Sequence, residues 1–346
     1  MTGGKLIEEE TEARDRASSG LGPLEEGIVL RATAGEYTVQ ALDQSAGCGT
    51  CRCTLRGNLK KVFTYSESTE TPRRVTRARR PFMQDAVAVG DRVRFAVLRP
   101  GFGVVEEILP RSSRFARSAF RGRDQTLVSN LDQLVIVFAC AAPHPDLWRI
   151  DRWLAIAEYC ELSAVIVANK RELIADSEWP GPFAEYSRMG YRVVATSAVT
   201  GSGVATLKRM LTDKVSAFTG PSGVGKTSLL NRLQPALRGE TAAVGGITHK
   251  GRHTTTIREL YPLSGGGWLA DTPGLRQLNL PPMGRDALGE CFVEIAAALE
   301  AGCRFGDCTH ESEPGCCVTA AVERGEISQR RYRSYLQIAT EVAPRA

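Results

Sequence analysis

The fold of this chain is decided by the stretch Gly220-Pro221-Ser222-Gly223-Val224-Gly225-Lys226-Thr227. It matches the phosphate-binding loop pattern G-x-x-x-x-G-K-[ST], whose glycines let backbone N–H groups turn toward a nucleotide's phosphates. In this pattern Lys226 reaches the outer two phosphates and Thr227 holds a magnesium ion. The sequence predicts a buried strand over 215–218 and a helix over 228–233, whose N-terminal dipole would favour phosphate. The candidate phosphate-binding residues are Gly220, Ser222, Gly223, Val224, Gly225, Lys226, Thr227 and Ser228.

Composition limits the class of protein. Of the 346 residues 42% are apolar and 24% are charged, with a net charge of +5, as in ordinary soluble globular proteins. No apolar run approaches the ~20 residues that a membrane-spanning helix needs, so we expect no membrane partner. Residues 1–26 are polar and acidic, and they predict a disordered tail rather than a secretory signal. We therefore expect a cytoplasmic protein.

From residue 27 to residue 110 the sequence predicts short strands separated by glycines and polar turns. Five or so such strands in about 85 residues are typical of a small β-barrel, and the OB-fold is the commonest barrel of that size that binds nucleic acid. The predicted strands cover 28–31, 37–40, 53–56, 91–97 and 103–105. Basic residues are frequent here, and their charge fits phosphate binding and a solvated loop equally well. They are Arg52, Arg56, Lys60, Lys61, Arg73, Arg74, Arg77, Arg79 and Arg80.

Three cysteines in this region leave two alternatives. Cys48 and Cys51 form a C-x-x-C pair, which would be half of a zinc site, but no second half lies nearby in the sequence. We therefore favour free thiols for Cys48, Cys51 and Cys53.

After Asp132, buried strands alternate with helices, the pattern of a parallel sheet. Strands are predicted over 134–138, 164–168 and 192–195. The second ends in Asn169-Lys170-Arg171-Glu172 and the third in Thr196-Ser197-Ala198. Ligands of open α/β sheets bind beyond the carboxyl ends of the strands. These two segments and the phosphate-binding loop are therefore predicted to converge on one nucleotide.

The segment Asn169-Lys170-Arg171-Glu172 resembles the base-reading motif of GTPases. There, Asn169 would contact the guanine edge, Lys170 would pack over the ring, and Glu172 would accept hydrogen bonds from the guanine N1 and exocyclic amine. Adenine lacks that pair of donors, which disfavours an ATPase. Glu172 stands where the GTPase pattern has Asp, and it keeps the charge. Ser197 and Ala198 resemble the supporting loop whose backbone N–H contacts the guanine carbonyl.

Two further segments would complete a GTPase site. Asp271-Thr272-Pro273-Gly274 resembles the D-x-x-G motif, with Asp271 on magnesium through water and the Gly274 N–H near the γ-phosphate. The segment 251–256 is a plausible first switch, in which Thr254 or Thr255 would reach magnesium. Leu275 follows D-x-x-G and cannot orient the attacking water, so intrinsic hydrolysis should be slow. His253 is the candidate to position that water, and its alternative role is a solvated loop histidine.

A cluster of soft ligands lies near the C-terminus. Three thiolates and one imidazole within fourteen positions suit a closed tetrahedral zinc site, structural because no position is left for water. The candidate ligands are Cys303, Cys308, His310 and Cys316. Cys317 is adjacent and leaves the fourth ligand ambiguous. Helices are predicted over 287–300 and 327–340. The second carries arginines and tyrosines, a combination that fits RNA contact or an ordinary exposed basic helix: Arg330, Arg331, Arg333, Tyr332 and Tyr335.

The order of these motifs is unusual, because Ras-like GTPases place the phosphate loop first and the base-reading motifs last. The reversed order, the basic barrel before it and the cysteine cluster after it together resemble the circularly permuted GTPases, and among them the ribosome small subunit-dependent family. The resemblance covers nearly all of residues 27–340. It includes the short segments 55–57, 89–93 and 130–133. It implies that Cys316 is the fourth zinc ligand and that His253 positions the attacking water.

The resemblance also implies a function. The partner would be the small ribosomal subunit and its rRNA, whose late maturation the protein would assist. GTP with Mg²⁺ would favour docking, hydrolysis stimulated by the subunit would drive release, and the protein would act as a monomer. The alternative is a nucleotide-gated RNA-binding protein in which hydrolysis is incidental.

The sequence thus predicts a multidomain α/β protein. Its parts are a disordered acidic tail (1–26), an N-terminal OB-fold β-barrel that binds RNA (27–112), a circularly permuted P-loop GTPase domain (113–280) and a C-terminal α-helical zinc-binding domain (281–346).

Overall fold

The computed structural model describes residues 23–33, 35–43, 49–56, 62–65, 75–79, 87–119, 123–235, 259–271, 280–281 and 283–342. The chain divides into two compact units. The first runs to Arg114 and adds Gln125–Asn130 and Ile257–Leu260, and the second holds the remainder. No helix among the described residues has the length and apolar character needed to cross a membrane.

The first unit is built around a closed barrel of five strands. They are β1 (Leu24–Thr33), β2 (Glu36–Ala41), β3 (Thr50–Leu55), β6 (Arg92–Arg99) and β7 (Phe102–Ile108). Neighbours run antiparallel except for the parallel pair β3 and β7, and β1 closes the barrel on β6 from Leu24↔Ala96 to Ile28↔Arg92. Side chains alternate between buried and accessible along β2 and β3, as a barrel wall requires. The predicted barrel is confirmed.

Close backbone approach inside the barrel requires a glycine. A Cβ at Gly27 would lie 2.5 Å from Val39 Cγ1 and 2.8 Å from both the Gln40 carbonyl oxygen and the Phe95 ring. Without that Cβ, β1 lies directly against the apolar core of the barrel, which contains Val39 and Phe95.

The cysteines of this unit differ from the sequence prediction. Cys53 is a free buried thiol, and burial raises its pKa to about 12. Cys51 is also buried but is disulfide-bonded, so the expectation of a free thiol at that position is wrong. Cys48 lies outside the described residues. A two-residue spacing fits a disulfide as well as a metal half-site, and spacing alone does not separate the two.

The described residues also include two separate strand pairs and the short strand β14. β4 (Val62–Tyr65) pairs with β5 (Val75–Arg79), and β8 (Arg114–Ala119) pairs with β9 (Arg123–Ser129). In addition, β14 (Glu259–Pro262) pairs with β1 through Arg31 and Glu259, whose side chains form an ion pair of 2.7 Å.

The second unit contains a sheet of five parallel strands in the order β12, β11, β10, β13, β15. Their bounds are Arg192–Ala195, Ser163–Asn169, Gln133–Ala139, Val215–Thr219 and Trp268–Asp271. The central strand β10 is buried along its whole length, which explains its continuous apolar sequence. The associated helices are Leu147–Tyr159, Ala184–Arg188, Val204–Leu211 and Lys226–Leu233. Strand-end segments therefore meet at one edge of the sheet, as predicted.

The chain ends in four helices, Arg285–Glu290, Val293–Leu299, Cys317–Glu323 and Gln329–Ala339. They share a core that includes Leu288, Phe292, Val318 and Ile338. Ala155, on the helix Leu147–Tyr159 that follows β10, belongs to the same core. The C-terminal helices are therefore packed onto a helix of the parallel sheet within this unit.

A buried ion-pair network reinforces that contact. Arg331 is only 1% exposed, and its guanidinium lies 2.8 Å from Asp151 Oδ1 and 2.5 Å from Glu294 Oε1. Arg330 Nη1 lies 2.6 Å from Asp151 Oδ2, and its Nη2 lies 2.6 Å from Glu185. The idea that this helix presents a set of arginines to RNA is thus wrong for Arg331, because both of its carboxylate partners are internal.

We expect Arg331→Met to lower the free energy of unfolding by about 3–5 kcal/mol, because it removes one of the two guanidinium groups paired with buried Asp151 and the guanidinium paired with half-buried Glu294. Arg333→Met is the matched control on the same helix, since Arg333 is exposed, and it should change stability by about 0.5 kcal/mol or less. Urea denaturation followed by circular dichroism measures both variants. Equal losses would show that the network contributes nothing beyond helix propensity.

Candidate nucleotide and metal sites

The phosphate-binding loop lies between β13 and the helix Lys226–Leu233. Gly220, Gly223 and Gly225 have φ of 134°, 85° and 91°, a region that residues with a Cβ rarely adopt. At Gly220 a Cβ would also lie 2.0 Å from the carbonyl oxygen of Val137 on β10. Lys226 Nζ donates to the carbonyls of Gly220 at 2.7 Å and Pro221 at 2.5 Å, so the ammonium group lies over the loop.

The other residues of the loop divide by burial. Val224 is fully buried and holds the loop against the apolar core beneath the sheet. Ser222, Gly223 and Ser228 are exposed, and Thr227 is half-buried at the start of the helix. Backbone N–H groups and hydroxyls of this loop are therefore accessible to a phosphate chain.

Asn169 connects the base-reading motif to the phosphate-binding loop. It is 1% exposed, and its side-chain Nδ2 donates to the carbonyl of Val224 at 2.8 Å. Its Oδ1 accepts from the hydroxyl of Thr196 at 3.1 Å, which ties the ends of β11 and β12 together. A Cβ at Gly225 would lie 2.5 Å from Asn169 Nδ2, so only glycine permits this contact. Three of the predicted segments are thus joined by one amide.

Thr196 is a positioning residue that the sequence analysis did not single out. Its only sequence signal is its place between a predicted strand and Ser197-Ala198. Ser197 is buried, and its hydroxyl accepts from the N–H of Thr200 at 2.9 Å, which shapes the loop that contains half-buried Ala198.

Lys170 and Glu172 occupy the accessible side of the same edge. Lys170 has a left-handed backbone with φ of 59°, and its Nζ donates to the carbonyl of Ala142 in the loop after β10. Glu172 is exposed in the short helical turn Arg171–Leu173. Cys140 lies nearby, where burial and, to a smaller extent, Glu172 raise its pKa to about 11. The exposed carboxylate is free to turn toward a base.

The remaining predicted residues of the nucleotide site lie after the phosphate-binding loop in the sequence. His253, Thr254, Thr255 and Gly274 lie outside the described residues. Asp271 is the last residue of β15, which pairs with β13 through Ala217↔Ala270. The backbone of Asp271 is therefore at the same sheet edge as the phosphate-binding loop.

We expect Asn169→Ala to weaken guanine-nucleotide binding about 5- to 150-fold, since removing a buried hydrogen-bonding group costs roughly 1–3 kcal/mol and frees the Val224 carbonyl. Titration with a fluorescent GDP analogue measures the affinity. Asn231→Ala, on the helix after the loop, is the matched control and should bind normally. If the two variants bind equally tightly, Asn169 has no role in holding the loop.

The four candidate metal ligands lie together in the C-terminal helical part. Their donor atoms are all within 4.8 Å of one another. A tetrahedral zinc ion, with Zn–S of about 2.3 Å and Zn–N of about 2.0 Å, separates two sulfurs by ~3.8 Å and a sulfur from a nitrogen by ~3.5 Å. His310 Nδ1 lies 3.5 Å from the sulfurs of both Cys303 and Cys316, and these two sulfurs are 4.0 Å apart. The donor set and its spacing fit zinc.

Cys317 does not fit the fourth ligand position. Its Sγ is 3.1 Å from that of Cys303, and two sulfurs so close could share a zinc ion only at an angle of about 85°, well below the tetrahedral value. Cys316 Sγ has a second role, because it caps the helix Cys317–Glu323 by accepting from the Thr319 N–H. The geometry favours Cys316.

Glu313 organises the loop between His310 and Cys316. Its carboxylate accepts from the backbone N–H groups of Thr309, Glu311 and Ser312, at 2.6, 3.0 and 3.1 Å, and from the Thr309 hydroxyl. The hydrogen bond from the Thr309 side chain, followed by those from the backbone, holds the pKa of Glu313 well below its usual range. The backbone carbonyl of His310 accepts from Tyr332 at 2.6 Å. The ligand loop is thus held by groups that are not ligands.

Chain order distinguishes this sheet from that of an ordinary GTPase. The strands that carry the base-reading segments, β11 and β12, precede the phosphate-binding strand β13 in the sequence, although all three present their carboxyl ends at one edge. This fold and its site define a circularly permuted GTPase.

Comparisons with known proteins give the family. Residues 108–281 match the model of the RsgA GTPase family. A relative from Moorella thermoacetica is 40% identical over 92% of this chain and 98% of its own, and one from Gemmatimonas aurantiaca is 44% identical over 75% and 86%; each is named small ribosomal subunit biogenesis GTPase RsgA. The crystal structure of YjeQ from Thermotoga maritima is similar, with a TM-score of 0.68, 29% identity, and coverage of 92% of this chain and 98% of that one. This chain belongs to the RsgA GTPase family and is a GTP-hydrolysing enzyme.

Proposed function

We propose that this GTPase binds the small ribosomal subunit, assists its late maturation, and is released when hydrolysis is stimulated by the subunit. The observation that carries the proposal is the match, over 92% of this chain, to a relative named for small ribosomal subunit biogenesis. The hydrogen bond from Asn169 to Val224 joins the base-reading segment to the phosphate-binding loop at one edge of the sheet, and this supports a guanine-nucleotide site there. We also propose a cytoplasmic location and a monomeric state.

Within the nucleotide site, guanine would contact Asn169, Lys170 and Glu172, with Ser197 and Ala198 supporting the base. The phosphates would lie on the backbone of the loop and on Lys226. Magnesium would neutralise phosphate charge, held by Thr227, by Asp271 through water and by Thr254 or Thr255, and the Gly274 N–H would reach the γ-phosphate. His253 would position the attacking water. The loop geometry around Gly220, Gly223 and Gly225 supports the phosphate assignment.

We further propose that Cys303, Cys308, His310 and Cys316 hold one structural zinc ion. Zinc would cross-link the loop before the helix Cys317–Glu323 and so stabilise the C-terminal helices. The support is the spacing of the donor atoms and the burial of three of the four residues.

The barrel offers a surface suited to rRNA. A cavity of about 380 Å³ opens on its wall. Phe102 is 42% and Leu98 56% exposed at the cavity, and the guanidinium carbon of Arg99 lies 4.3 Å from the centre of the Phe102 ring. The cavity is lined by Glu36, Arg52, Cys53, Thr54, Leu98, Arg99, Phe102 and Gly103. An exposed ring beside two arginines favours an unstacked base and its phosphate.

We expect Phe102→Ala to weaken binding of single-stranded RNA by about 5- to 150-fold, which corresponds to the ~1–3 kcal/mol of one base–aromatic stack. Leu42→Ala is the control, since Leu42 is also exposed on this unit but lies outside the cavity. Fluorescence anisotropy with a labelled oligonucleotide measures both affinities. Unchanged binding by the Phe102 variant would remove this cavity from the RNA surface.

The function is tested by GTP hydrolysis with and without small ribosomal subunits. We expect stimulation by small subunits, with large subunits and ATP inactive, and loss of stimulation in His253→Ala with nucleotide binding retained. The physical reason is that Leu275 cannot orient water, so a partner must order the catalytic loop.

A different outcome would favour the alternative function. Tight guanine-nucleotide and subunit binding without any stimulation would contradict subunit-activated hydrolysis. The protein would then be a nucleotide-gated RNA-binding protein, an interpretation that the residue Leu275 supports.

A further inference from the structure

Beside the three cysteines and one histidine of the metal cluster lies a fourth sulfur, that of Cys317, which the four-ligand site does not use. Cys317 Sγ lies 3.1 Å from Cys303 Sγ, whereas the sulfurs of the ligands Cys303 and Cys316 are 4.0 Å apart. A disulfide bond is about 2.05 Å long, so a movement of about 1 Å would join the two atoms. Cys317 is therefore next to a ligand without being one.

Accessibility separates this pair from the rest of the cluster. Cys303 and Cys317 are both half-buried, whereas Cys308, Cys316 and His310 are 3%, 3% and 6% exposed. A small oxidant from solvent would therefore meet the Cys303–Cys317 pair before it met the buried ligands. Susceptibility of thiols to oxidation follows such exposure.

We propose that Cys303 and Cys317 form a peroxide-sensitive switch of the zinc site, an inference that rests on the zinc binding proposed above. In the first step one sulfur, as thiolate, attacks the peroxide O–O bond, becomes a sulfenic acid and releases hydroxide. In the second step the thiol of the other cysteine attacks the sulfenic sulfur, so that an S–S bond forms as the S–O bond breaks. The departing hydroxyl group takes the proton of that thiol and leaves as water. The two sulfurs lose two electrons, and one hydrogen peroxide molecule gains them.

The consequence for zinc follows from ligand count. Once Cys303 is in a disulfide it is no longer a thiolate ligand, and only Cys308, His310 and Cys316 remain. A structural zinc site with three ligands retains the ion less tightly, and zinc binding contributes to folding in such sites. Because Cys308 and Cys316 belong to the core of the C-terminal helices, loss of zinc would loosen that core. The helical part of a GTPase would thereby respond to oxidants.

The test uses the full-length protein loaded with zinc. Zinc per chain is measured first in the wild type, Cys317→Ala and Cys160→Ala, the last being the matched control because Cys160 is a half-buried thiol outside the cluster. Hydrogen peroxide is then added, zinc release is followed with a chromogenic chelator, and disulfides are mapped by mass spectrometry without reduction.

We expect one zinc per chain in all three proteins. The wild type and Cys160→Ala should release zinc several-fold faster than Cys317→Ala, with a Cys303–Cys317 disulfide that a thiol reductant reverses. Equal release from Cys317→Ala, or a disulfide from Cys303 to Cys308 or Cys316, would overturn the switch. Loss of zinc from untreated Cys317→Ala would also overturn it, by making Cys317 a ligand. A wild type without zinc would instead refute the zinc site itself.

Discussion

The nucleotide site depends on how closely the phosphate-binding loop approaches the central strand. β10 is fully buried and hydrogen-bonds to β11 on one side and β13 on the other. After β13 the loop passes the backbone of Val137 on β10. The two backbones are so close that a Cβ at Gly220 would lie 2.0 Å from the Val137 carbonyl oxygen. This backbone contact fixes the loop relative to the ends of the neighbouring strands. Asn169, at the end of β11, can then reach Val224 with its side chain.

Much of this arrangement could be predicted from the sequence because local sequence patterns indicate it. Continuous apolar runs identified β10 and β11, alternation identified the barrel strands, and glycine spacing identified the phosphate loop. The cysteine and histidine spacing identified the donor set of the metal site. The convergence of strand-end segments followed from the geometry of parallel strands alone.

The features that the sequence did not predict depend on long-range pairing. Asp151 and Arg331 are 180 positions apart in the sequence. From the sequence alone, a charged residue in a helix is predicted to be exposed to solvent, because its distant partner is not known. The disulfide at Cys51 and the hydrogen bond from Thr196 to Asn169 have no periodic signal either. In each case the side chain is polar and the deciding fact is what the fold brings next to it. Local patterns carry no information about that neighbour.

The carboxylate of Glu313 would affect the metal selectivity of the site. Three backbone N–H groups and one hydroxyl converge on it, and its depressed pKa keeps it ionised through the whole physiological range. The loop between His310 and Cys316 is therefore shaped by an anion that belongs to the protein, before any cation arrives. A site with fixed ligand positions binds most tightly an ion that fits its size and prefers tetrahedral coordination. An ion that prefers planar or octahedral coordination binds there with lower affinity. Selectivity among metals would thus reside in the rigidity of the loop as much as in the sulfur and nitrogen donors.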